Sequence, residues 1–396
     1  MNAKVEIFDE NGPRRVRRVL FALLIIGGLM LMGAAVATVF ALDASAATST
    51  SQGTAHRYTL SGERIALFNI AGDVTLEAGT GSDVIVEVTP DGRDGDKLEV
   101  RTGVIAGHNT LRVVYPTNHV IYPEMQWGSR DNSRVRDDGT FGDFEKRGGW
   151  QGGGLHDFGF GSHNVSVSRN GIFGGGLEAW AHIHVWVPSG RSVEAHQMCG
   201  RTTATQIAGN VALEIGSGHA IADGIHGSLV LDTGSGDVEA RNIVGDVILD
   251  TGSGGVSVHT VKGGDVLVDT GSGSVEGDGV DAGSLNIDTG SGGVRLDGVR
   301  ADEVKVDTGS GEVELGFVDA SMRRLDVDTG SGGVVLRVPK NFGADIEMDS
   351  GSGGFDSDLP ISIVRRDDSY LKGRIGDGRS KVMIDTGSGG VRLRTR

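Results

Sequence analysis

The sequence predicts an all-β chain: a β-solenoid of about 18 to 21 residues per coil, preceded by an N-terminal transmembrane helix. Three observations carry this. A Gly-Ser-Gly motif recurs along the second half at a near-constant period. The residues around it alternate apolar and polar. One long uncharged run stands near the N-terminus.

Composition sets the bounds. Glycine supplies 67 of 396 residues without recurring at every third position, so the excess is not collagen-like. Hydrophobic residues make up 38%, enough for a packed core, and seven prolines disfavour a Pro-rich disordered chain. The formal net charge of −16 is the wrong sign for a nucleic-acid binder. A single cysteine, Cys199, excludes an internal disulfide and a Cys-based zinc cluster.

Val19 to Leu42 is uncharged and, at 1.5 Å per residue, is long enough to cross a hydrocarbon core of roughly 30 Å. Arg14, Arg15, Arg17 and Arg18 precede it, which places residues 1–18 in the cytoplasm and the bulk of the chain in the periplasm or outside the cell. The competing reading is a cleaved signal peptide ending near Ala44-Ser45-Ala46, although signal cores usually run about 7 to 15 residues. The small, polar stretch 43–56 reads as a linker, and the looser alternation of 57–115 as an N-terminal β cap.

From about residue 180 the repeats take over. Asp-Thr-Gly-Ser-Gly begins at Asp232, Asp250, Asp269, Asp288, Asp307, Asp328 and Asp385, with a Ser variant at Asp349 and a degenerate copy at Glu214. Positions three and one before the Asp are apolar, as in Val266 and Val268, while the residue between wanders through Asn286, Lys305, Asp326 and Glu347. This is period-two alternation with one buried face. After the turn the inward pattern resumes at Val238, Val256, Val275, Val294, Val313, Val334, Phe355 and Val391. A third apolar mark falls at Ile243, Val261, Val280, Val299 and Val318. A lone unit cannot hide its apolar face, so units must stack about 4.8 Å apart.

Parity points each Asp out, to accept hydrogen bonds from turn amides, and each Thr in, as a buried hydroxyl ladder; the glycines supply positive φ at the corner. Stacked carboxylates repel by roughly 1 kcal/mol in water, so amide capping, splaying or cations must offset them. No cofactor is expected. Calcium between coils is the candidate cation for the carboxylate row, but the repeats lack the Gly-Gly-x-Gly-x-Asp pattern of calcium β-rolls. Asp-Thr-Gly also looks like an aspartic-protease strand, but that chemistry needs a facing pair of carboxylates, not a row.

The features Leu67-Phe68-Asn69-Ile70-Ala71-Gly72-Asp73-Val74, Val185-Trp186-Val187-Pro188-Ser189-Gly190, the Gly-Ser-Gly coils and Gly373-Arg374-Ile375-Gly376-Asp377-Gly378 together resemble the bacterial β-strand-repeat envelope proteins classed as candidate adhesins. The resemblance implies a secreted or anchored repeat scaffold of unknown molecular function, with no catalytic residues to carry over. The departure from it is an insert at 116–179, rich in Gly and aromatics, where the periodicity lapses. Trp127 and Trp150 there are the candidate binding residues, suited to stacking on a sugar or partner chain. His182 and His184 share a strand face but show no third metal ligand, and Cys199 reads as a small interior residue. A second insertion at about 356–381 predicts a loop or hairpin before a last coil.

The function expected is a non-enzymatic, adhesin-like binding or spacer scaffold of the cell envelope, held in the membrane through residues 19–42, with an envelope polysaccharide or protein as partner. The alternatives are a β-helical polysaccharide lyase or hydrolase, which needs acidic and basic residues clustered on one face, and an envelope-stress regulator signalling through the membrane helix.

Overall fold

The computed structural model describes residues 53–126, 128–142, 161–170 and 175–396. The segment 19–42, read as transmembrane, lies outside them, and among the described residues no helix is long and apolar enough to cross a membrane.

From Val211 onward each coil lays down two strands separated by the Gly-Ser-Gly turn, and like positions pair in parallel from coil to coil. Val247–Thr251 pairs with Val266–Thr270, matching Asp250 to Asp269 and Thr251 to Thr270. Beyond the turn, Val256–Lys262 pairs with the start of Val275–Thr289, matching Val256 to Val275. Val266, Val268 and Thr270 are buried, while Leu267 and Asp269 face outward and are half-buried. The stacked valines and leucines form one continuous core, each worth about 1.5–3 kcal/mol of burial.

Two expected inward positions are corrected. Val318 is 40% exposed. In its coil the spacing lengthens from 19 to 21 residues, the register shifts after Leu296, and Phe317 takes the corner opposite Val299, fully buried. Phe355 is only half-buried, because its strand closes the stack on that side and pairs on one edge, with Val391–Thr395.

The turn chemistry also differs from expectation. In five of the seven Asp-Thr copies the buried Thr hydroxyl accepts from a turn amide. The Thr289 hydroxyl donates to the Gly273 carbonyl one coil back at 3.0 Å and accepts from the Gly292 amide at 3.0 Å. Thr270, Thr308, Thr329 and Thr386 repeat the arrangement. In the Ser variant the acid caps the turn as well, Asp349 accepting from the Gly351 amide at 3.1 Å. Nor is positive φ the general reason for the motif's second glycine. Gly218 and Gly236 have φ of +141° and +140°, but at Gly273 and Gly292 close approach decides, since a Cβ there would overlap the carbonyl oxygen of the coil below.

Chain order and stacking order part at both ends. The strands Arg64–Ala71 and Val74–Ala78 make a coil wedged between later segments: the first lies between His108–Val114 and Ser192–Cys199, the second between Trp180–Val187 and Thr202–Thr205. At the other end the last strands, Ser380–Thr386 and Val391–Thr395, do not sit last. They slot between Arg324–Thr329 with Val334–Val338 on one side and Ala344–Asp349 with Phe355–Ser357 on the other. The insertion before them forms a hairpin, Ser362–Arg366 with Tyr370–Ile375, laid antiparallel on Ala344–Asp349. Its outer strand is exposed throughout, and a bulge with Arg365 and Arg366 makes a poor template for further pairing.

The stretch read as an unpatterned insert contains a small sheet. Ser162–Ser168 runs parallel to His119–Ile121 and antiparallel to Arg130–Arg136. Val120, Val135, Val165 and Val167 are buried and join the core of the coils.

Candidate functional site

Every first strand of a coil offers two outward positions, and stacking turns each into a column. One is acidic: it runs from Glu214 through Asp232, Asp250 and Asp269 to Asp328, then to Asp385 and Asp349 in stacking order. Like charges at strand spacing disfavour full ionisation. Burial, and then neighbouring Asp288, raise the Asp269 carboxyl above the ordinary value; burial, then Asp307 and Asp385, do the same to Asp328, against a smaller opposing effect of Lys305. The carboxylates lie in one row on one face rather than meeting across a cleft, so the arrangement is not the facing pair that aspartic proteolysis requires.

The acidic column begins beneath the insert. Matched in register with Glu214 is His196, and with His196 is Phe68. His196 is 2% exposed although its parity is outward. Its Nδ1 lies 3.1 Å from Glu214 and its Nε2 3.6 Å from Glu194, while His108 approaches Glu194 at 3.5 Å. Burial alone would lower the imidazole, but the two carboxylates outweigh it and the net shift is upward. Phe141 of the insert stands edge-on to Phe68 at 5.7 Å, and a side chain at Gly142 would overlap the Glu214 carboxylate.

Asp131 pins the insert sheet to the coils. It accepts from the Cys199 thiol at 3.1 Å and from the Ser217 hydroxyl. Burial first, then Asp131, push the Cys199 thiol well up, which leaves it protonated and a poor nucleophile. The sequence reading placed Cys199 inside but missed Asp131 and His196. The signal available for Asp131 was the alternation of Arg130–Arg136; parity alone argued against a buried His196.

Trp127 and Trp150, the candidate binding residues, lie outside the described residues. His182 and His184 do share a face, each beside acids: His182 is 3.9 Å from Asp73 and 3.8 Å from Asp91, and His184 is 3.0 Å from Glu77. The His184 ring stacks on Trp186 at 4.1 Å, with the Arg57 guanidinium 5.2 Å from the Trp186 ring centre. Among the described residues no group of three His, Cys, Asp or Glu side chains converges as a metal site.

The opposite face carries a shallow groove of about 470 Å³ lined by His259, Glu276, Asp278, Arg295, Glu314 and Arg337 among others. Here acidic and basic residues do cluster, which inspection of single repeats did not reveal. Most are engaged with each other: His259 pairs with Asp278 at 2.7 Å, Glu314 takes both Arg295 and Arg337, and C-terminal Arg396 holds Asp297 at 3.0 Å.

Solved structures resemble the chain, two of them as follows. A candidate cell adhesion protein from Clostridium sporogenes matches over 87% of this chain and 99% of its own at 10% identity, with a TM-score of 0.18. A candidate lipid binding protein from Parabacteroides distasonis matches over 87% and 98% at 13% identity, with a TM-score of 0.37. No curated protein matches the chain. The Toastrack DUF4097 family model matches residues 181–394, more than half of the sequence and all of the regular coils. The chain belongs to the Toastrack DUF4097 family.

Proposed function

We propose that this chain is a non-enzymatic, adhesin-like binding or spacer scaffold of the bacterial cell envelope. On this reading residues 19–42 anchor it, the N-terminus is cytoplasmic, and the coils project outside the membrane toward an envelope polysaccharide or protein. The observation that supports it best is the acidic column: coil stacking repeats one outward carboxylate at a fixed spacing along a face backed by a continuous core. A surface of that kind suits repeated weak contacts better than one reaction.

The groove on the opposite face supports a second reading, a polysaccharide-active enzyme, because it gathers acidic and basic groups. Against it, Glu314 is held between two arginines and Asp278 is paired with His259, which leaves them poorly placed as acid or base. The test of both is direct. The full chain in nanodiscs is incubated with a panel of envelope polysaccharides and with envelope extract. Saturable binding without chain shortening fits the scaffold, and release of new reducing ends or unsaturated sugars overturns it. Protease added to intact spheroplasts should digest the coils; protection of residues 53–396 would overturn the orientation.

A further inference from the structure

On the acidic face, the outward position two residues before the Asp is apolar and bulky in three successive coils. Asn286, Lys305, Asp326 and Glu347 hold it in other coils, and Ala212 and an isolated Met383 in two more; here it holds Val230, Ile248 and Leu267, paired one to the next in register and each half-buried on the outside of the stack. Core packing does not require them, because the inward positions of the same strands are already filled by Leu229, Leu231, Val247, Leu249, Val266 and Val268. An apolar strip on an outward sheet face, bordered by polar groups, is the ordinary mark of an interaction surface.

Its borders say what it fits. Asp232, Asp250 and Asp269 follow the strip two residues on, and Asp246 and Asp265 stand at the entry of the same strands, two residues before Ile248 and Leu267. An anionic lipid surface or a nucleic acid would be repelled. A cationic, partly apolar occupant would gain from the strip and relieve the crowding of charge that raises Asp269.

Spacing decides its form. Coils rise about 4.8 Å, while a helix lying along the stack presents one face every 5.4 Å turn, so from the first coil to the third the two drift by only about 1 Å. An extended strand repeats a face about every 6.7 Å and is about 4 Å out of register by the third coil. We propose that the strip Val230–Ile248–Leu267 with its flanking carboxylates docks a basic amphipathic helix of a partner protein. This deepens the scaffold reading, on which it rests, by naming the class of protein partner.

The test uses the full chain in zwitterionic nanodiscs, with empty nanodiscs as blank, and two labelled Leu/Lys peptides of about 18 residues and identical composition. One is patterned with helical period and the other with alternation. Fluorescence anisotropy at about 150 mM salt should show the helical isomer binding at least about tenfold more tightly, with helicity gained on binding. Ile248→Lys and Leu267→Lys should each weaken it by about tenfold without changing the melting temperature, while Ser257→Lys on the opposite face should not. Equal binding of the two isomers, or indifference to Ile248→Lys, overturns the proposal. So does strong binding seen only after deletion of 143–160, which would make that segment the occupant. Envelope binding that survives Ile248→Lys would sink the helix strip while leaving the scaffold reading intact.

Discussion

The His196 ring lies flat on the Phe68 ring, with centroids 4.6 Å apart and planes within 5°. The carboxylates of Glu194 and Glu214 flank its edges. An imidazolium over an aromatic face, bracketed by two acids, is favoured over neutral imidazole despite its burial, and its folded-state pKa is raised. Since that value stands above the unfolded one, near 6.5, the contribution to stability is complete below about pH 6.5 and is lost as pH rises through the raised value. Urea midpoints of the full chain should therefore fall as pH is raised above about 6.5. His196→Gln should lower the acid-side midpoint and flatten the profile; a variant with the parent slope would show that another group is responsible.

The acidic column has the same sign for a different reason. Asp269 and Asp328 are raised by burial and by neighbouring carboxylates, so folding is disfavoured as pH rises through their range, and the repulsion persists at neutral pH. Added salt screens it. Asp269→Asn should raise the melting temperature by about 1 to 2 °C at low salt and by less at about 0.5 M salt. Destabilisation in both buffers would mean that the carboxylate is held by contacts worth more than the repulsion.

Thr289 makes both of its hydrogen bonds inside the stack, to the Gly273 carbonyl and from the Gly292 amide. Thr289→Val keeps the shape and strands two buried backbone groups, at a cost of about 1–3 kcal/mol, whereas Thr289→Ser keeps both bonds and should recover most of it. Chemical denaturation of the two variants separates hydrogen bonding from packing.

Inward and outward positions can be tested directly. Val268 is buried in the shared core, whereas Asp326 is outward and bonded to Arg324 at 2.7 Å on the surface. Val268→Asp should cost more than about 4 kcal/mol and unfold adjoining coils, while Asp326→Ala should stay within about 0.5 kcal/mol. Equal effects would contradict the parity on which the columns depend.

What the sequence shows of this fold is whatever depends on neighbours in the chain. Period-two alternation assigns Val266, Val268 and Thr270 to the interior, and the constant spacing aligns Asp250 with Asp269. What it hides depends on longer reach. Phe317 displaces Val318 because a two-residue lengthening can be absorbed on either side of a corner, and only packing against Val299 chooses. His196 is buried because Phe141 of the insert arrives from 55 positions upstream to pack against its Phe68 partner. The outward Val230, Ile248 and Leu267 were visible one by one, but they become a strip only when the coils stack.

The C-terminus shows the limit most plainly, since a spacing of 36 reads as a loop before a final coil, yet the final coil is an inner one. In a simple solenoid, removing the last coil shortens the stack and leaves its neighbour intact. Here Asp328 pairs with Asp385, and Asp385 with Asp349, so removal of Ser380 to Arg396 leaves Ala344–Asp349 and Phe355–Ser357 with nothing between them and the body of the stack. The hairpin Ser362–Ile375 rests on Ala344–Asp349 and must go with it. Truncation after Arg379 should therefore abolish hydrogen-exchange protection across 344–375 and weaken it in 324–338, while 211–300 stays protected. Protection confined to its parent level across 344–357 in the truncated chain would mean that this coil docks directly on Arg324–Val338, and that the interleaved order is not what holds the end together.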